Sequence, residues 1–347
     1  MEIGITTFVE NTPDPVTGSL LSPVERMANL MEEIELSDQL GLDVFAIGEH
    51  HRPDFIVSSP AVVLAAAAVK TKHIKLSSAV TVLSSDDPVR VFQDFAHVDL
   101  LSNGRAEIIA GRGSFIESFP LFGNSLQDYD ALFSEKLDLL VKLNKSEKIT
   151  WKGTHRPSID NRGVYPRPAQ PEIPIWVGVG GTPESVVRAA NYGLPMALAI
   201  IGGMPDRFVP FTNLYKKTYK EAGHDISRLQ LAINSHGYIA EDSQKAADEF
   251  YGPYSYVMSK IGKERGWQPM NRNQYDYMRT PQGSLVVGSP QQVIDKILYE
   301  HELLGNTRFL LHISVGTLPH KKVMNAIELL GTVVAPAVKK AIGVLHE

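Results

Sequence analysis

The sequence predicts an α/β protein, a closed (β/α)8 TIM barrel with insertions at the C-terminal mouth. Three observations carry that prediction. Short apolar runs alternate with capped helical segments eight times along 347 residues. The strand segments are nearly continuous in apolar character, as parallel strands covered on both faces are. Polar side chains are concentrated where strands stop, which is where barrels of this kind place their sites. A doubly wound open sheet is the competing architecture, because one miscounted strand would leave the barrel unclosed.

The first strand is 3–8. Ser22-Pro23-Val24-Glu25 then starts a helix: serine can cap, proline suits the first helical position and Glu25 completes a capping box. Val24, Met27, Met31 and Ile34 continue at helical spacing until Gly41 stops the helix. The second strand is 44–47, and its end carries Glu49, His50, His51 and Arg52. Ser59-Pro60 opens an alanine-rich helix, 74–83 is the third strand, and Asp87-Pro88 opens the next helix. Strand 106–110 precedes a helix over 127–144; strand 175–179 precedes one that starts at Thr182-Pro183-Glu184. Strand 196–201 leads to a helix over 205–222, and 229–239 holds the seventh strand. Ser289-Pro290 caps a helix into Gly305, 308–314 is the eighth strand, and an apolar helix from 321 closes the chain.

A single domain is expected over 1–347, with long connections at 111–126, 146–174 and 240–288. The third is rich in tyrosine and follows a strand, so it is expected over the barrel mouth, as a lid, a packed excursion or a subunit interface. Composition narrows the function. Apolar residues make up 43% and charged residues 21%, enough for a soluble core, and the net charge of −5 offers no field for nucleic acid. There is no cysteine, which excludes thiolate catalysis, disulfides and iron–sulfur clusters. Redox chemistry would have to come from a cofactor. No secretory segment is recognisable and the apolar runs 60–69 and 194–201 are too short to span a bilayer, so a cytoplasmic protein is expected.

His50 is the first candidate for chemistry. It stands at a strand end, and imidazole is the side chain whose ordinary pKa best suits proton transfer near neutrality; the alternative is a histidine satisfied by local hydrogen bonds. Glu49 either orients the imidazole or pairs with Arg52. Strand 1 supplies no further ligand, so no metal is expected. Gly180-Gly181-Thr182-Pro183-Glu184-Ser185 combines a glycine turn, a helix start and two hydroxyls, which suits a phosphate as well as simple fold punctuation. Arg112, between Gly111 and Gly113 after strand 4, either reaches the same anion or forms a surface ion pair. Proline in place of a third glycine excludes the dinucleotide fingerprint.

Taken in order, these pieces resemble the bacterial luciferase-like flavin-dependent monooxygenase family. The resemblance adds the run from Leu76 to Leu83 followed by Asp87-Pro88-Val89-Arg90, Asp99-Leu100-Leu101-Ser102-Asn103-Gly104-Arg105, and Pro166-Arg167-Pro168 leading to Pro174-Ile175-Trp176-Val177-Gly178. It continues with Ala189-Ala190-Asn191-Tyr192-Gly193-Leu194-Pro195 and covers residues 1 to about 240, with an echo in Val287-Gly288-Ser289-Pro290. It implies a homodimeric barrel that binds reduced FMN at the mouth, with His50 as the catalytic histidine. It also implies a cis peptide between Ala79 and Val80 under the flavin ring, and a phosphate site at Arg112, Gly180, Gly181, Thr182 and Ser185. The implied activity uses O2 and reduced FMN to oxygenate a small organic substrate. A separate NAD(P)H:flavin reductase is expected, since the chain has no dinucleotide motif. Hydride transfer with a deazaflavin, and flavin binding without catalysis, are the alternatives. Ile200 stands where luciferases carry a tryptophan and the 240–288 insert is unlike theirs, so neither light emission nor a substrate is implied.

Overall fold

The computed structural model describes residues 1–201 and 203–344, so Gly202 and the last three residues of the expected single domain lie outside the described residues. Eight parallel strands form the barrel: β1 (Glu2–Thr7), β2 (Val44–Ile47), β3 (Lys75–Ser78), β4 (Ala106–Gly111), β5 (Ile175–Val179), β6 (Met196–Ile200), β7 (Leu231–Ile239) and β8 (Arg308–His312). Each pairs with the next, and β8 returns to β1 with Glu2 opposite Arg308 and Thr6 opposite His312. The open-sheet alternative is thereby excluded.

Helices α1 (Pro23–Gln39), α2 (Pro60–Lys70), α3 (Pro88–Ser102), α4 (Tyr129–Lys145), α5 (Pro183–Tyr192), α6 (Val209–Glu221), α7 (Pro290–Leu304) and α8 (His320–Leu329) surround the strands. Their starts follow the sequence punctuation. Glu25 N–H donates to Ser22 Oγ at 3.2 Å while Glu25 Oε2 accepts from Ser22 N–H at 3.0 Å, closing the capping box. Asp87 accepts from Val89 N–H at 2.8 Å at the head of α3.

Three expected elements differ. The third strand divides at a cis Ala79–Val80 peptide, and its second part, Thr81–Val82, pairs with the end of β4. No turn residue interrupts that apolar run, so its sequence reads as one strand. The connection 146–174 contains an antiparallel hairpin, Lys148–Trp151 with Ile159–Gly163. The connection 240–288 is mostly helical, with Ser243–Glu264 and Arg272–Met278. Pro253 lies inside the longer helix; Gly252-Pro253 reads as a break in sequence, but burial of Phe250 and Tyr254 against Tyr238 and Tyr275 holds the helix through it.

Strand alternation sorts side chains into two cores. Phe45 and Ile47 face the helices, while Val44 and Ala46 face the barrel axis with Trp176, Ala197, Ala232 and Leu310. The lower end of the axis is filled by charge. Arg308, 1% exposed, donates to Glu107 through both terminal nitrogens at 2.7 and 3.0 Å and to Glu2 through Nε at 2.7 Å. Its guanidinium lies 4.2 Å from the Trp176 ring centroid.

Breaking a buried pair leaves an uncompensated charge. Glu107→Gln should therefore lower the unfolding free energy by about 3 kcal/mol in urea denaturation, whereas Glu107→Leu combined with Arg308→Met should recover most of that loss. Equal losses in the single and double variants would contradict this account of the plug.

Candidate active site

Small inward residues on the upper halves of the strands leave a cavity of about 340 Å³ at the mouth. Ala197, Ala199 and Ala232 form part of its base, and Val80 crosses it against the ends of β4 and β5. A Cβ at Gly111 would stand 2.5 Å from Val80 Cγ2, so glycine is required for this close approach. Phe8, Val82, Ile109, Phe115, Ile201 and Leu310 complete the apolar walls. The volume and lining are those of a small-molecule site.

His50, Ala79, Val80, Arg112, Gly180 and Thr182 all line this one cavity, although they arise from four strand ends. Ser185 and Gly181 do not line it. Ser185 is buried and reaches the wall through a 2.9 Å hydrogen bond to Thr182 Oγ1. Gly181 has φ +119°, a conformation that needs glycine, and turns the chain from β5 into α5.

Glu49 organises the histidine end. Its Oε1 lies 2.9 Å from His51 Nε2, and its Oε2 accepts the Val82 amide at 2.8 Å, joining the end of β2 to the chain just beyond the cis peptide. The second alternative for Glu49, pairing with Arg52, is not formed: Arg52 binds Glu264 of the insert helix, lies 3.4 Å from Glu117, and covers the Phe115 ring at 4.5 Å. Lys260 of the same helix holds Asp54 at 2.7 Å, so the insert is tied across the mouth to the β2 loop.

His50 is the cavity's unpaired base. Its Nδ1 bonds to the Glu49 carbonyl, which can only accept, so Nδ1 carries the proton and Nε2 is left as an acceptor. Nε2 is buried without a partner among the described residues. Phe8, Phe55 and Phe115 surround the ring at centroid distances of 4.5, 4.2 and 5.3 Å. Burial in this aromatic cage pushes the imidazole pKa down to about 4, against the weaker pull of the Glu49 carbonyl and Glu10.

The opposite end is cationic and hydroxylic. Arg112 Nη2 donates to Thr182 Oγ1 at 2.7 Å, its Nη1 pairs with Asp130 at 2.6 Å, and its guanidinium lies 5.2 Å from the Tyr129 ring centroid. Thr182 is the N-cap residue of α5 yet makes no side-chain cap, because its hydroxyl is turned to Arg112 and Ser185. Pro183 has no N–H and the Ser185 N–H donates to the Thr182 carbonyl at 3.1 Å, so in the first turn of α5 the Glu184 N–H is the donor that no side chain caps.

Sequence reasoning missed Asn234, Ser114 and Tyr129, which also line the cavity. Asn234 Nδ2 donates to Thr6 at 3.0 Å and its Oδ1 is buried without a partner among the described residues. Its signal was present: Ala232 and Asn234 alternate inward on β7, and a polar residue in that inward row marks the mouth. Tyr129 had no such signal, since it reaches the site from the start of α4.

A parallel eight-stranded barrel with an apolar cavity, a buried neutral imidazole and an arginine-bearing cradle at the strand C-terminal ends defines a class of cofactor-dependent enzyme folds. Residues 1–307 match the model of the luciferase-like monooxygenases, and the chain belongs to that family. It is 26% identical over 326 residues to an uncharacterized protein of Sinorhizobium fredii, spanning 91% of this chain and 92% of that one. It is 25% identical over 311 residues to the oxygenase component of a flavin-dependent trigonelline monooxygenase of Acinetobacter baylyi, spanning 83% of each. In fold it is similar to a monooxygenase of Streptomyces bottropensis, with a TM-score of 0.83 at 22% identity over 97% of this chain and 99% of that chain. The FMN complex of the oxygenating constituent of a Pseudomonas putida 3,6-diketocamphane monooxygenase gives 0.78 at 20% identity over 97% and 98%. An F420-dependent secondary alcohol dehydrogenase gives 0.74 at 18% identity, again over 97% and 98%.

The buried imidazole makes stability depend on pH. Its folded pKa lies below the ordinary value of 6.5, so between those values the unfolded chain binds a proton that the folded protein excludes, and stability is lost as pH falls. The stability difference between about pH 7 and pH 4 should be larger by roughly 3 kcal/mol in the parent than in His50→Gln, measured by urea unfolding at both pH values. Equal differences in the two proteins would mean that His50 titrates normally.

Proposed function

We propose that this protein is the oxygenase of a two-component flavin monooxygenase, using reduced FMN from a separate NAD(P)H:flavin reductase and O2 to oxygenate a small organic substrate. The observation that carries the reading is one cavity with an unpaired neutral imidazole at one end and an arginine–hydroxyl cradle at a helix start at the other. Those two ends suit a planar cofactor with a phosphate tail. When bound, reduced FMN supplies electrons to dioxygen, chemistry no side chain of a cysteine-free chain provides.

The chain's own residues then have defined tasks. Arg112, Thr182 and Ser185, with the backbone at Gly180 and Gly181, hold the phosphate; Ala79 and Val80 support the ring; His50 accepts a proton at Nε2. The aromatic and aliphatic walls exclude water, which strengthens the polar contacts within. The insert helix, tied to the β2 loop by Arg52–Glu264 and Asp54–Lys260, covers the histidine side of the mouth as a lid.

Titration with FMN should quench flavin fluorescence and perturb its absorption. A response to a deazaflavin and none to FMN would replace this reading with hydride transfer. Arg112→Ala should weaken FMN by about 1.5–3 kcal/mol, the worth of a charge-assisted hydrogen bond, and leave riboflavin nearly unaffected. With FMN kept reduced, His50→Ala should retain flavin affinity but lose oxygenation; unchanged product formation would remove His50 from the chemistry, and absence of any product in the parent would leave a flavin-binding protein.

The homodimer is proposed on exposed apolar side chains of neighbouring helices, Val62 and Val69 on α2 with Leu100 and Leu101 on α3. Light scattering should give twice the chain mass, and Val62→Glu with Leu101→Glu should give monomers.

A further inference from the structure

We propose that Arg188 is a second phosphate-binding cation beside Arg112, and that this pair makes the cradle selective for a cofactor ending in a phosphate monoester. The inference rests on the flavin reading of the site and specifies which phosphate chemistry it accepts.

The geometry comes from two helices. Arg112 lies over Tyr129 at 5.2 Å, and Arg188 lies over Phe133 at 5.3 Å. Tyr129 and Phe133 are four residues apart on α4, so their side chains are neighbours about 5–6 Å apart. Each guanidinium is thus held against one of two neighbouring rings of α4, and Arg112 is near enough for its charge to act on Arg188. Arg188 also lies one turn beyond Ser185 on α5, and helical side chains lean toward the N-terminus, here the helix start at Thr182 that no side chain caps. Its Nη1 is buried and makes no hydrogen bond among the described residues.

This arrangement is unfavourable without an anion. Burial first, and the neighbouring Arg112 charge second, hold the Arg188 pKa below the usual guanidinium value in spite of Asp130, Tyr192 and Glu184. Asp130 is the carboxylate bound to Arg112, and its side chain is 67% exposed, free to turn into solvent when another anion arrives. Two cations and an uncapped helix start then face that anion. A phosphate monoester carries about −1.5 to −2 charge at neutral pH and matches the pair. A phosphodiester carries one negative charge and matches it less well.

The test is fluorescence titration of the full-length protein with FMN, riboflavin and FAD, whose phosphates are diesters of the pyrophosphate type. The parent should bind FMN more tightly than either of the others. Arg188→Gln should lower FMN affinity roughly tenfold or more, with riboflavin changed less than about twofold, and Arg188→Lys should restore part of the loss. Equal losses for FMN and riboflavin, or no loss for FMN, would assign Arg188 to helix packing and overturn the proposal. If Arg188→Gln fails to fold, Arg188→Lys alone decides between these outcomes. Failure of the parent to bind FMN would overturn the flavin reading instead. Inorganic phosphate then judges the arginine pair: it should raise the melting temperature of the parent more than that of the variant, and equal shifts would refute the pair.

Discussion

An eight-stranded barrel has an axis that must be filled, and how this chain fills it governs everything above. The lower layer is occupied by large and charged groups, Trp176 stacked on Arg308 and Arg308 locked by Glu107 and Glu2. A buried guanidinium is tolerated there because both carboxylates meet it in hydrogen-bonding geometry. The upper layer carries several alanines and glycines, among them Ala197, Ala199, Ala232 and Gly178, so the axis that is solid below opens into a cavity at the mouth. Bulk below and small residues above position the site before any polar side chain is considered.

Glu49 then converts a hollow into a site. One buried carboxylate ties His51 and the Val82 amide, fixing the end of β2 against the chain beyond the cis peptide. With the Glu49 carboxylate engaged on that side, its backbone carbonyl accepts the Nδ1–H of His50 and Nε2 is left without a partner among the described residues. Unsatisfied buried groups are costly and therefore informative. Among the described residues they include His50 Nε2, Asn234 Oδ1, Glu117 Oε2 and Ser118 Oγ of the cavity lining, and Arg188 Nη1 on α5 outside that lining. Each is of a kind that a polar ligand would satisfy.

The insert shows how a surface excursion acquires a role. Its helix Ser243–Glu264 is anchored on β7 through Tyr238, Phe250 and Tyr254 and reaches the β2 loop through Glu264 and Lys260. It was recognisable in sequence by its aromatic content, but not as a helix, because Gly252-Pro253 is a breaker pair whose local preference is overruled by buried aromatic packing. Arg52 was similarly opaque: the acids near it in sequence are Asp54 and Glu49, while its partners are Glu117 and Glu264, brought to it by folding.

The sequence by itself determined the barrel, the eight strand–helix units and the position of His50, Arg112, Thr182 and Ser185 at strand ends and helix starts. Those features are local: caps, periodicity and glycine turns act within a few residues and survive any tertiary context that keeps the elements. Only the tertiary structure decided that His50, Arg112 and Thr182 face one cavity with Ser185 bonded behind Thr182, that Glu49 serves His51 and Val82 rather than Arg52, and that Asn234 and Tyr129 join the lining. Such facts depend on barrel closure and on contacts between chain segments far apart in sequence, for which no local pattern exists.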